Sequence, residues 1–520
     1  MKKIATALLS CALSAATLAG CAANAAQVPQ ESQEPHTAAL TATAAASVKS
    51  PKYVFLFIGD GMSYPQIQST SDYLGALKDA DYWQAQPSLD DNQGAILDGP
   101  EYLNFMNFEA AGSAVTYDSN SFAPDSASTA TSISTGHKTY SGSINVDETG
   151  TIEYETIAEQ LKAQKGWGIG VITSVNLNHA TPAAFYAHQA SRSSYYEIGL
   201  ELVESGFDYF AGGGLLKPTG SSGDQTDLYE LAQEAGYTVA KTHAEADAIG
   251  TNTEKAIIID EDLADSDAMA YELDRTDDMW ALADYVAKGI EVLDNDTGFF
   301  MMCEGGKIDW ACHANDAASS IHDTQALADA VQVAIDFAKE HADETLILVT
   351  GDHETGGLTI GFAGTDYDTY LDLLENQKIS FAKYDSDYVA SYKANKTPFG
   401  TVLADIEKLF GLKAQGEEGD KLVLTAYEME QLRAAYEKSI NGTASSQYDQ
   451  AEYVLYGTYE PLSVTITHII NNKSGISFTS YSHTGLPVAV LAEGAGSEMF
   501  NGYYDNPDIY PTLAALLNIA

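Results

Sequence analysis

Four continuous apolar runs recur along the chain, separated by segments with helical periodicity. The runs are YVFLFIGDGM from residue 53, GWGIGVITS from residue 166, GFFMMCEGG from residue 298 and TLILVTGDHETGG from residue 345. Runs that are apolar on both faces are typical of strands buried in a parallel sheet. Patterns such as YETIAEQLKAQ and SSIHDTQALADAVQVAIDFAKEHA lie between them. The chain therefore predicts a doubly wound α/β fold, with a largely parallel central sheet flanked by helices.

Polar residues stand at the ends of these apolar runs. Asp60, Glu304, Asp352 and His353 each come at or just after such an end. The carboxyl edge of a parallel sheet is where α/β proteins bind ligands, so these side chains are expected to share one site. Several carboxylates buried together are destabilised unless a counter-charge is present. Metal ions would supply that charge.

The spacing of further acidic and histidine residues agrees with a metal centre. Asp309 and His313 are four residues apart, which on a helix places both side chains on one face. Asp352 and His353 are adjacent in a strand-exit turn, where both can reach one ion. Each pair alone is common on protein surfaces, and only their occurrence at several strand ends makes the pattern specific.

A serine-rich stretch, FAPDSASTATSIS at residues 122–134, has three interpretations. It can be a flexible polar loop, as most Ser/Thr-rich segments are, a small-residue helix packed against the sheet, or the position of a nucleophile. Composition alone does not choose among them.

The start of the chain has the features of an export signal. Lys2 and Lys3 precede an apolar stretch, Ile4–Leu18, that is short for a membrane span. The following LAGC resembles a bacterial lipobox, which implies cleavage before Cys21 and acylation of its thiol. The alternative is an ordinary cleavage site with a coincidental cysteine. Ala22, rather than aspartate, favours the outer membrane in this resemblance.

These features divide the chain into three parts. Residues 1–20 are predicted as a lipoprotein signal peptide, 21–50 as a disordered tether rich in Ala, Thr, Ser, Gln and Pro, and 51–520 as the functional domain. The protein is thus expected to be exported and held at the cell envelope by a lipid anchor. A segment at about 365–470 is weakly periodic and tyrosine-rich, and is predicted as an insertion that covers the site or forms a dimer contact. A homodimer and a monomer both remain open.

Charge excludes one class of partner. The chain has 26 basic and 74 acidic residues, a formal net charge of −48. A field of this sign repels phosphate backbones and anionic lipid headgroups, so nucleic acid is not a specific partner. Beyond the signal and the lipobox only Cys303 and Cys312 remain, and an exported protein allows but does not require a bridge between them.

Six stretches together carry a resemblance to one family. They are IGDGM, PDSASTATSISTG, HATPAAFYAHQASR, EGGKIDWACH, VTGDHETGG and SHTG, in this order. From about residue 51 to its C-terminus the chain resembles bacterial alkaline phosphatases. The resemblance implies hydrolysis of small phosphate monoesters through a phosphoserine, with two Zn²⁺ and one Mg²⁺. The implied zinc ligands are Asp309, His313 and His483 for one ion and Asp60, Asp352 and His353 for the other.

The same resemblance assigns the remaining roles. Magnesium would be held by Asp60, Thr181 and Glu304, the phosphate by Arg192, and the nucleophile would be Ser126 at the start of a helix. The other serines of that stretch are then expected on the helix surface or in packing. Donor types agree with these assignments, since imidazole and carboxylate suit zinc and an all-oxygen set suits magnesium.

The chain departs from many relatives at the third metal. His179 stands where some have aspartate, and Trp310 follows Asp309 where others have lysine or histidine. The pair resembles marine and cold-adapted members. His179 can ligate the third metal, hold a water bound to it, or only pack, and His188 is expected to be structural.

Three rival functions fit the residues less well. Sulfatases of the same superfamily use a modified Cys or Ser in a C/S-x-P-x-R context, whereas Ser126 is followed by Ala-Ser-Thr. Related phosphodiesterases usually have a threonine nucleophile and lack the arginine, so Ser126 with Arg192 favours monoesters. A metal-binding lipoprotein without activity would be expected to have lost the nucleophile or a ligand, and none is missing.

Overall fold

The computed structural model describes residues 49–79, 82, 96–442 and 444–519. The predicted signal peptide, the lipobox with Cys21 and the tether up to residue 48 lie outside the described residues. None of the helices in the described part is long and apolar enough to cross a membrane.

A ten-stranded sheet forms the centre of the protein, and the other four strands of the described residues form two separate two-stranded sheets. In chain order the strands are β1 (Tyr53–Gly59), β2 (Ala110–Val115), β3 (Gly168–Asn176), β4 (Tyr209–Gly213), β5 (Thr238–Ala240), β6 (Ala256–Ile259), β7 (Phe299–Gly305), β8 (Thr345–Gly351), β9 (Glu354–Thr355), β10 (Thr359–Ile360), β11 (Ile476–Ser477), β12 (His483–Thr484), β13 (Val488–Gly494) and β14 (Gly502–Asp505). The central sheet has the order β14-β2-β13-β8-β1-β7-β3-β4-β6-β5, and β13 runs antiparallel to both its neighbours. The predicted, largely parallel α/β sheet is confirmed.

Helices cover both faces of this sheet. They are α1 (Tyr64–Lys78), α2 (Ser126–Thr135), α3 (Ile157–Lys165), α4 (Ala180–Ala183), α5 (Tyr195–Glu204), α6 (Leu228–Glu234), α7 (His243–Asp247), α8 (Leu282–Leu293), α9 (Lys307–His313), α10 (Ala317–Glu340), α11 (Phe381–Tyr384), α12 (Ala390–Asn395), α13 (Phe399–Phe410), α14 (Ala426–Asn441), α15 (Gln450–Tyr456), α16 (Pro461–Ser474) and α17 (Ile509–Leu517). Alternate residues of β1 enter two different hydrophobic clusters, with Val54 in one and Phe55 in the other. A strand buried on both faces explains why its sequence shows no polar alternation.

The register of the three central strands determines where their polar residues lie. Gly59 of β1 is level with Gly305 of β7 on one side and with Gly351 of β8 on the other. The strands therefore end together, and Asp60, Glu304 and Asp352 come to the same edge of the sheet.

The interval between β10 and β11 is helical and includes the segment predicted as an insertion. Helices α11 to α14 and α16 share a third hydrophobic cluster, which also contains Tyr73 of α1 and Ile321 of α10. This helical region thus packs on the same side of the sheet as α1 and α10. Its boundaries as a separate unit stay a prediction.

Candidate active site

Ser126 is the first residue of α2, and the sequence explains why the helix begins there. Asp125 is the N-cap, and its carboxylate accepts a hydrogen bond from the Ser128 backbone N–H at 3.1 Å. Gly136 ends the helix in a left-handed conformation with φ of 77°. Ser126 Oγ lies 3.2 Å from His353 Nε2 and 3.5 Å from Asp60 Oδ1.

The other serines of this helix do not lie on a surface. Every residue of α2 is buried, including Ser128, Ser132 and Ser134. The expectation of a partly exposed helix is therefore wrong, and the packing alternative is correct. Small hydroxyl side chains that bond back to their own helix satisfy their polar groups in a tightly packed position, as Ser132 Oγ does to the Ser128 carbonyl at 3.0 Å.

One metal-ligand cluster is formed by Asp60, Asp352 and His353. His353 Nε2 is 3.3 Å from Asp60 Oδ1 and 3.3 Å from Asp352 Oδ2. The other oxygen of Asp352 accepts hydrogen bonds from the backbone N–H groups of Gly61 at 3.1 Å and His353 at 2.8 Å. Thr129 of α2 donates to Asp352 Oδ2 at 3.1 Å. The carboxylate is therefore held in one orientation from several sides.

A second cluster contains Asp309, His313 and His483. Asp309 and His313 lie in α9, so the predicted helical face is present, with 3.3 Å between Asp309 Oδ2 and His313 Nε2. The Nε2 atoms of His313 and His483 are 3.0 Å apart. The Nδ1–H of His313 donates to the Tyr481 carbonyl at 2.6 Å, and that of His483 to the Pro124 carbonyl at 2.6 Å.

The two Nδ1–H donations fix the tautomers of His313 and His483, and these tautomers suit a cation site. With Nδ1 protonated, each Nε2 directs an unshared electron pair into the cluster, where the carboxylate of Asp309 also points. Two such nitrogens at 3.0 Å need a positive charge between them, which can be a metal ion or a proton shared as a hydrogen bond. Two imidazoles and a carboxylate are a donor set that zinc accepts. The residues therefore fit a bound metal ion.

A threonine missed by the sequence reasoning connects the two clusters. Thr355 Oγ1 donates to Asp309 Oδ1 at 2.5 Å and accepts from His353 Nδ1 at 3.3 Å. Thr355 lies in the short strand β9, which pairs with β12 and so places Thr355 opposite His483. Its position two residues after His353 is the only signal in the sequence, and that signal is weak without the pairing.

Removing this link should weaken metal binding. Thr355→Val keeps the shape of the side chain but loses the hydroxyl, so Asp309 and His353 lose their common partner. We expect zinc affinity to fall about 10- to 100-fold, the usual effect of losing a group that orients a ligand. Competition with a chelator measures it, with Thr355→Ser as the control that keeps the hydroxyl. Equal zinc affinity in Thr355→Val and the wild type would contradict this role.

The residues proposed for a third metal also come together. Thr181, in α4, donates to Asp60 Oδ2 at 3.2 Å, so Asp60 reaches both this position and the His353 cluster. Glu304 Oε2 accepts a hydrogen bond from Thr173, while its Oε1 is buried with no hydrogen-bond partner among the described residues. An unpartnered buried carboxylate oxygen beside a carboxylate and a hydroxyl fits a magnesium ion.

The electrostatics indicate an excess of negative charge at the edge of the sheet. Burial, followed by repulsion from neighbouring carboxylates, raises the pKa of Asp60 well above its usual range. Burial also raises the pKa of Glu304 to about 7, and that of Asp352 to about 7. Without a counter-charge these acids resist ionisation together. Bound cations would reverse these shifts.

Arg192 contacts Asp125, the residue before Ser126. Its Nη1 donates to Asp125 Oδ2 at 2.9 Å, and its Nη2 is 3.5 Å from His179 Nε2. Burial, and then the Arg192 charge, lowers the pKa of His179 to about 3, so this imidazole is neutral. The rings of His179 and Trp310 meet edge to face at 5.9 Å. Asp125 thus joins the start of the Ser126 helix to the arginine.

The structure also bears on the expectations for His188 and for the two cysteines. His188 forms ion pairs with Glu159 and Glu201 at 3.5 Å each, in agreement with a structural role. Cys303 and Cys312 are both free and buried, so the bridge that an exported location allowed is not formed.

Comparison with known proteins gives a consistent result over nearly the whole described chain. The family model for alkaline phosphatase matches residues 51–519. Alkaline phosphatase 4 of Bacillus subtilis (strain 168) is 30% identical over 464 residues, which cover 88% of this chain and 86% of that protein.

Solved structures agree with this result. The cold-active alkaline phosphatase of the psychrophile Shewanella sp. superposes with a TM-score of 0.68 at 28% identity, covering 89% of this chain and 99% of that one. A mutant of the alkaline phosphatase from the Antarctic bacterium TAB5, with Mg bound in its M3 site, gives a TM-score of 0.60 at 26% identity, covering 91% and 99%. The helix that begins at Ser126, the converging candidate metal ligands and these relationships agree, and the family match shows that the chain belongs to the alkaline phosphatase family.

Proposed function

We propose that this phosphatase hydrolyses phosphate monoesters through a phosphoserine on Ser126. The observation that carries the proposal is the position of Ser126 Oγ, 3.2 Å from His353 Nε2 and 3.5 Å from Asp60 Oδ1, at the N-terminus of α2. A helix N-terminus directs backbone N–H groups toward a bound anion. The nucleophile, a metal-ligand cluster and an anion-binding helix end therefore meet at one point.

The reaction divides into two displacements at phosphorus. In the first, the bond from Ser126 Oγ to phosphorus forms while the bond to the leaving alcohol oxygen breaks, the serine proton passes to solvent, and the departing oxygen takes up a proton to give the alcohol. In the second, water attacks the phosphoserine and gives up a proton, the bond from phosphorus to Oγ breaks, Oγ regains a proton, and inorganic phosphate is released. Two divalent cations at the two clusters would supply charge neutralisation and lower the pKa of an attacking hydroxyl or water.

We assign two Zn²⁺ and one Mg²⁺ to the ligand sets already described. The assignment is supported by donor chemistry, because the two clusters that contain histidine suit zinc and the oxygen set of Asp60, Thr181 and Glu304 suits magnesium. The magnesium in the M3 site of the TAB5 mutant also supports it. His179 has a buried Nδ1 with no hydrogen-bond partner among the described residues. Holding a water bound to the third metal would give His179 a partner.

Arg192 is assigned to the phosphate. Its guanidinium is a planar fork that can donate to two phosphate oxygens at once, which a lysine cannot reproduce. The ion pair with Asp125 orients this fork, at a distance of 2.9 Å. A monoester has three non-bridging oxygens, so two can meet this fork while the third faces the metal-ligand clusters, whereas a diester has only two in all.

A comparison of three substrates tests the proposed function. An aryl phosphate monoester should be turned over far faster than the matching diester or sulfate, because only the monoester matches Ser126 together with Arg192. A preference for the diester or the sulfate would show that the enzyme is a phosphodiesterase or a sulfatase instead. Labelled phosphate trapped on acid quenching distinguishes the phosphoserine route from direct attack by water.

The helical region at about 365–470 is proposed to cover part of the active site. Tyr481 is next to the site, because its carbonyl accepts a hydrogen bond from His313. Two residues of the helical region contact Tyr481: the Leu455 carbonyl accepts from its hydroxyl at 2.6 Å, and the Tyr459 ring packs on its ring with centroids 6.2 Å apart. The alternative role, a dimer contact, and the choice between monomer and homodimer are decided by sedimentation of the wild-type protein.

The lipid anchor at Cys21 remains a proposal, with the outer membrane as the expected location. Cys21→Ser should leave activity intact but release the protein from membranes, since acyl chains and not the catalytic domain would hold it there. Fractionation of cells that express each form, followed by a salt wash, measures this. A mutant that stays in the membrane fraction at high salt would contradict the anchor.

A further inference from the structure

A lysine with no part in the proposed chemistry is buried at the start of the helix that carries Asp309 and His313. Lys307 is the first residue of α9, and its side chain is 0% exposed. Burying an ammonium group is costly unless it is paired and hydrogen-bonded. Lys307 is two residues before Asp309, so the contacts that offset the cost of burying its ammonium lie next to the active site.

The partners of the ammonium are an acid and two aromatic rings. Lys307 Nζ lies 2.6 Å from Asp265 Oδ1, 4.2 Å from the centroid of the Tyr271 ring and 4.7 Å from that of the Trp310 ring. The Lys307 backbone N–H donates to Ser174 Oγ at 3.1 Å. A desolvated cation over the face of an aromatic ring is attracted by the ring quadrupole, which favours ring positions that keep the face toward the ammonium.

From Trp310, a continuous series of contacts leads to the phosphate-binding side. The Trp310 ring meets His179 edge to face at 5.9 Å, and His179 Nε2 is 3.5 Å from Arg192 Nη2. A second series runs from Tyr271 through Phe381 and Tyr459 to Tyr481, whose carbonyl orients His313. Both series begin at the Lys307 ammonium.

We propose that Lys307, paired with Asp265, is a positioning residue that holds Trp310, and through it His179 and Arg192, in the orientation that binds phosphate. The inference rests on the proposed function, because it takes Arg192 as the phosphate-binding group. It differs from a purely structural role in predicting an effect on phosphate affinity and not only on the amount of folded protein.

The test compares four variants of the full enzyme with inorganic phosphate as the probe. Lys307→Met removes the charge but keeps the length, and should raise the inhibition constant for phosphate and the KM for an aryl phosphate about tenfold, with a smaller change in kcat. Lys307→Arg keeps the positive charge and should retain most of the wild-type affinity for phosphate. Asp265→Asn should act in the same direction as Lys307→Met, and Asp267→Asn, the same change at an exposed residue two positions on, should have no effect.

A spectroscopic readout follows the ring itself. The Trp310 fluorescence, obtained by subtracting the spectrum of Trp310→Phe, should shift in Lys307→Met and Asp265→Asn and stay unchanged in Asp267→Asn. If Lys307→Met fails to fold, Asp265→Asn alone decides the question. The Asp265 side chain is partly exposed, so we expect the protein to tolerate this substitution better.

Two results would overturn the inference. One is a folded Lys307→Met or Asp265→Asn with wild-type phosphate affinity, and the other is a lower kcat at unchanged KM, which reports only less active protein. Arg192→Ala separates this failure from failure of the proposed site. If Arg192→Ala weakens phosphate binding and the lysine variants do not, only the positioning role is wrong, whereas unaltered phosphate binding in Arg192→Ala contradicts the site itself.

Discussion

Replacing Ser126 by alanine should abolish the phosphoenzyme and lower kcat by about three orders of magnitude or more, while metal content stays near that of the wild type. The hydroxyl is the proposed nucleophile, and the carboxylates and imidazoles around it are held by other residues. His353, for example, is fixed through Thr355, with 3.3 Å from Nδ1 to the threonine oxygen. Rapid quenching with labelled substrate and elemental analysis of the purified variant measure the two quantities.

Ser132→Ala is the matched control for this experiment. Ser132 lies in the same helix, is buried like Ser126, and uses its hydroxyl only for a bond to the Ser128 carbonyl at 3.0 Å. We expect nearly normal activity from it. Label recovered on Ser128 or Ser132 of the wild-type enzyme would show that Ser126 is not the nucleophile.

Arg192→Ala and His483→Ala should fail in different ways. Without the guanidinium, substrate and inorganic phosphate should both bind less tightly while a measurable rate remains, because bound metal ions would still neutralise most of the charge at phosphorus. Losing His483 should be more severe. His483 and His313 face each other across 3.0 Å, and removing one nitrogen leaves an incomplete ligand set.

Zinc titration separates the two variants. Added zinc should partly rescue His483→Ala, since weaker binding can be overcome by mass action, and should leave Arg192→Ala unchanged. Phosphate inhibition of both variants completes the comparison. Zinc rescue of the arginine variant, or unaltered phosphate affinity in it, would mean that these residues are wrongly assigned.

Sequence patterns predicted the sheet and most of the clustering, for a physical reason. A strand buried on both faces leaves a long apolar run, and its polar successor must appear at the sheet edge, as Asp60 does after β1. The contacts made by Thr355 and by the Tyr481 carbonyl were not predicted. They depend on the pairing of β9 with β12 and on a backbone oxygen, and neither leaves a distinct residue pattern.

The burial of α2 marks a second limit. A stretch of serine and threonine has the composition of an exposed segment, although its small side chains also allow close packing. Only the neighbouring elements in the structure decide between these two alternatives. Asp125 was given no role from the sequence, although aspartate is a residue type that caps helices. In the structure it is the N-cap of α2, and the same carboxylate accepts from the Gly142 N–H at 2.9 Å and pairs with Arg192.

The ligands of a single cluster come from distant parts of the chain. Ser126 and His353, whose Oγ and Nε2 atoms are 3.2 Å apart, are separated by 227 residues, and His313 and His483 by 170 residues. Contacts of such long range form late, after the entropy of closing large loops has been overcome. A partly folded chain in which these contacts have not formed would therefore lack a complete ligand set, and we expect metal to be bound only after they form. Metal supply should accordingly stabilise the finished enzyme against unfolding without accelerating the early steps of its folding.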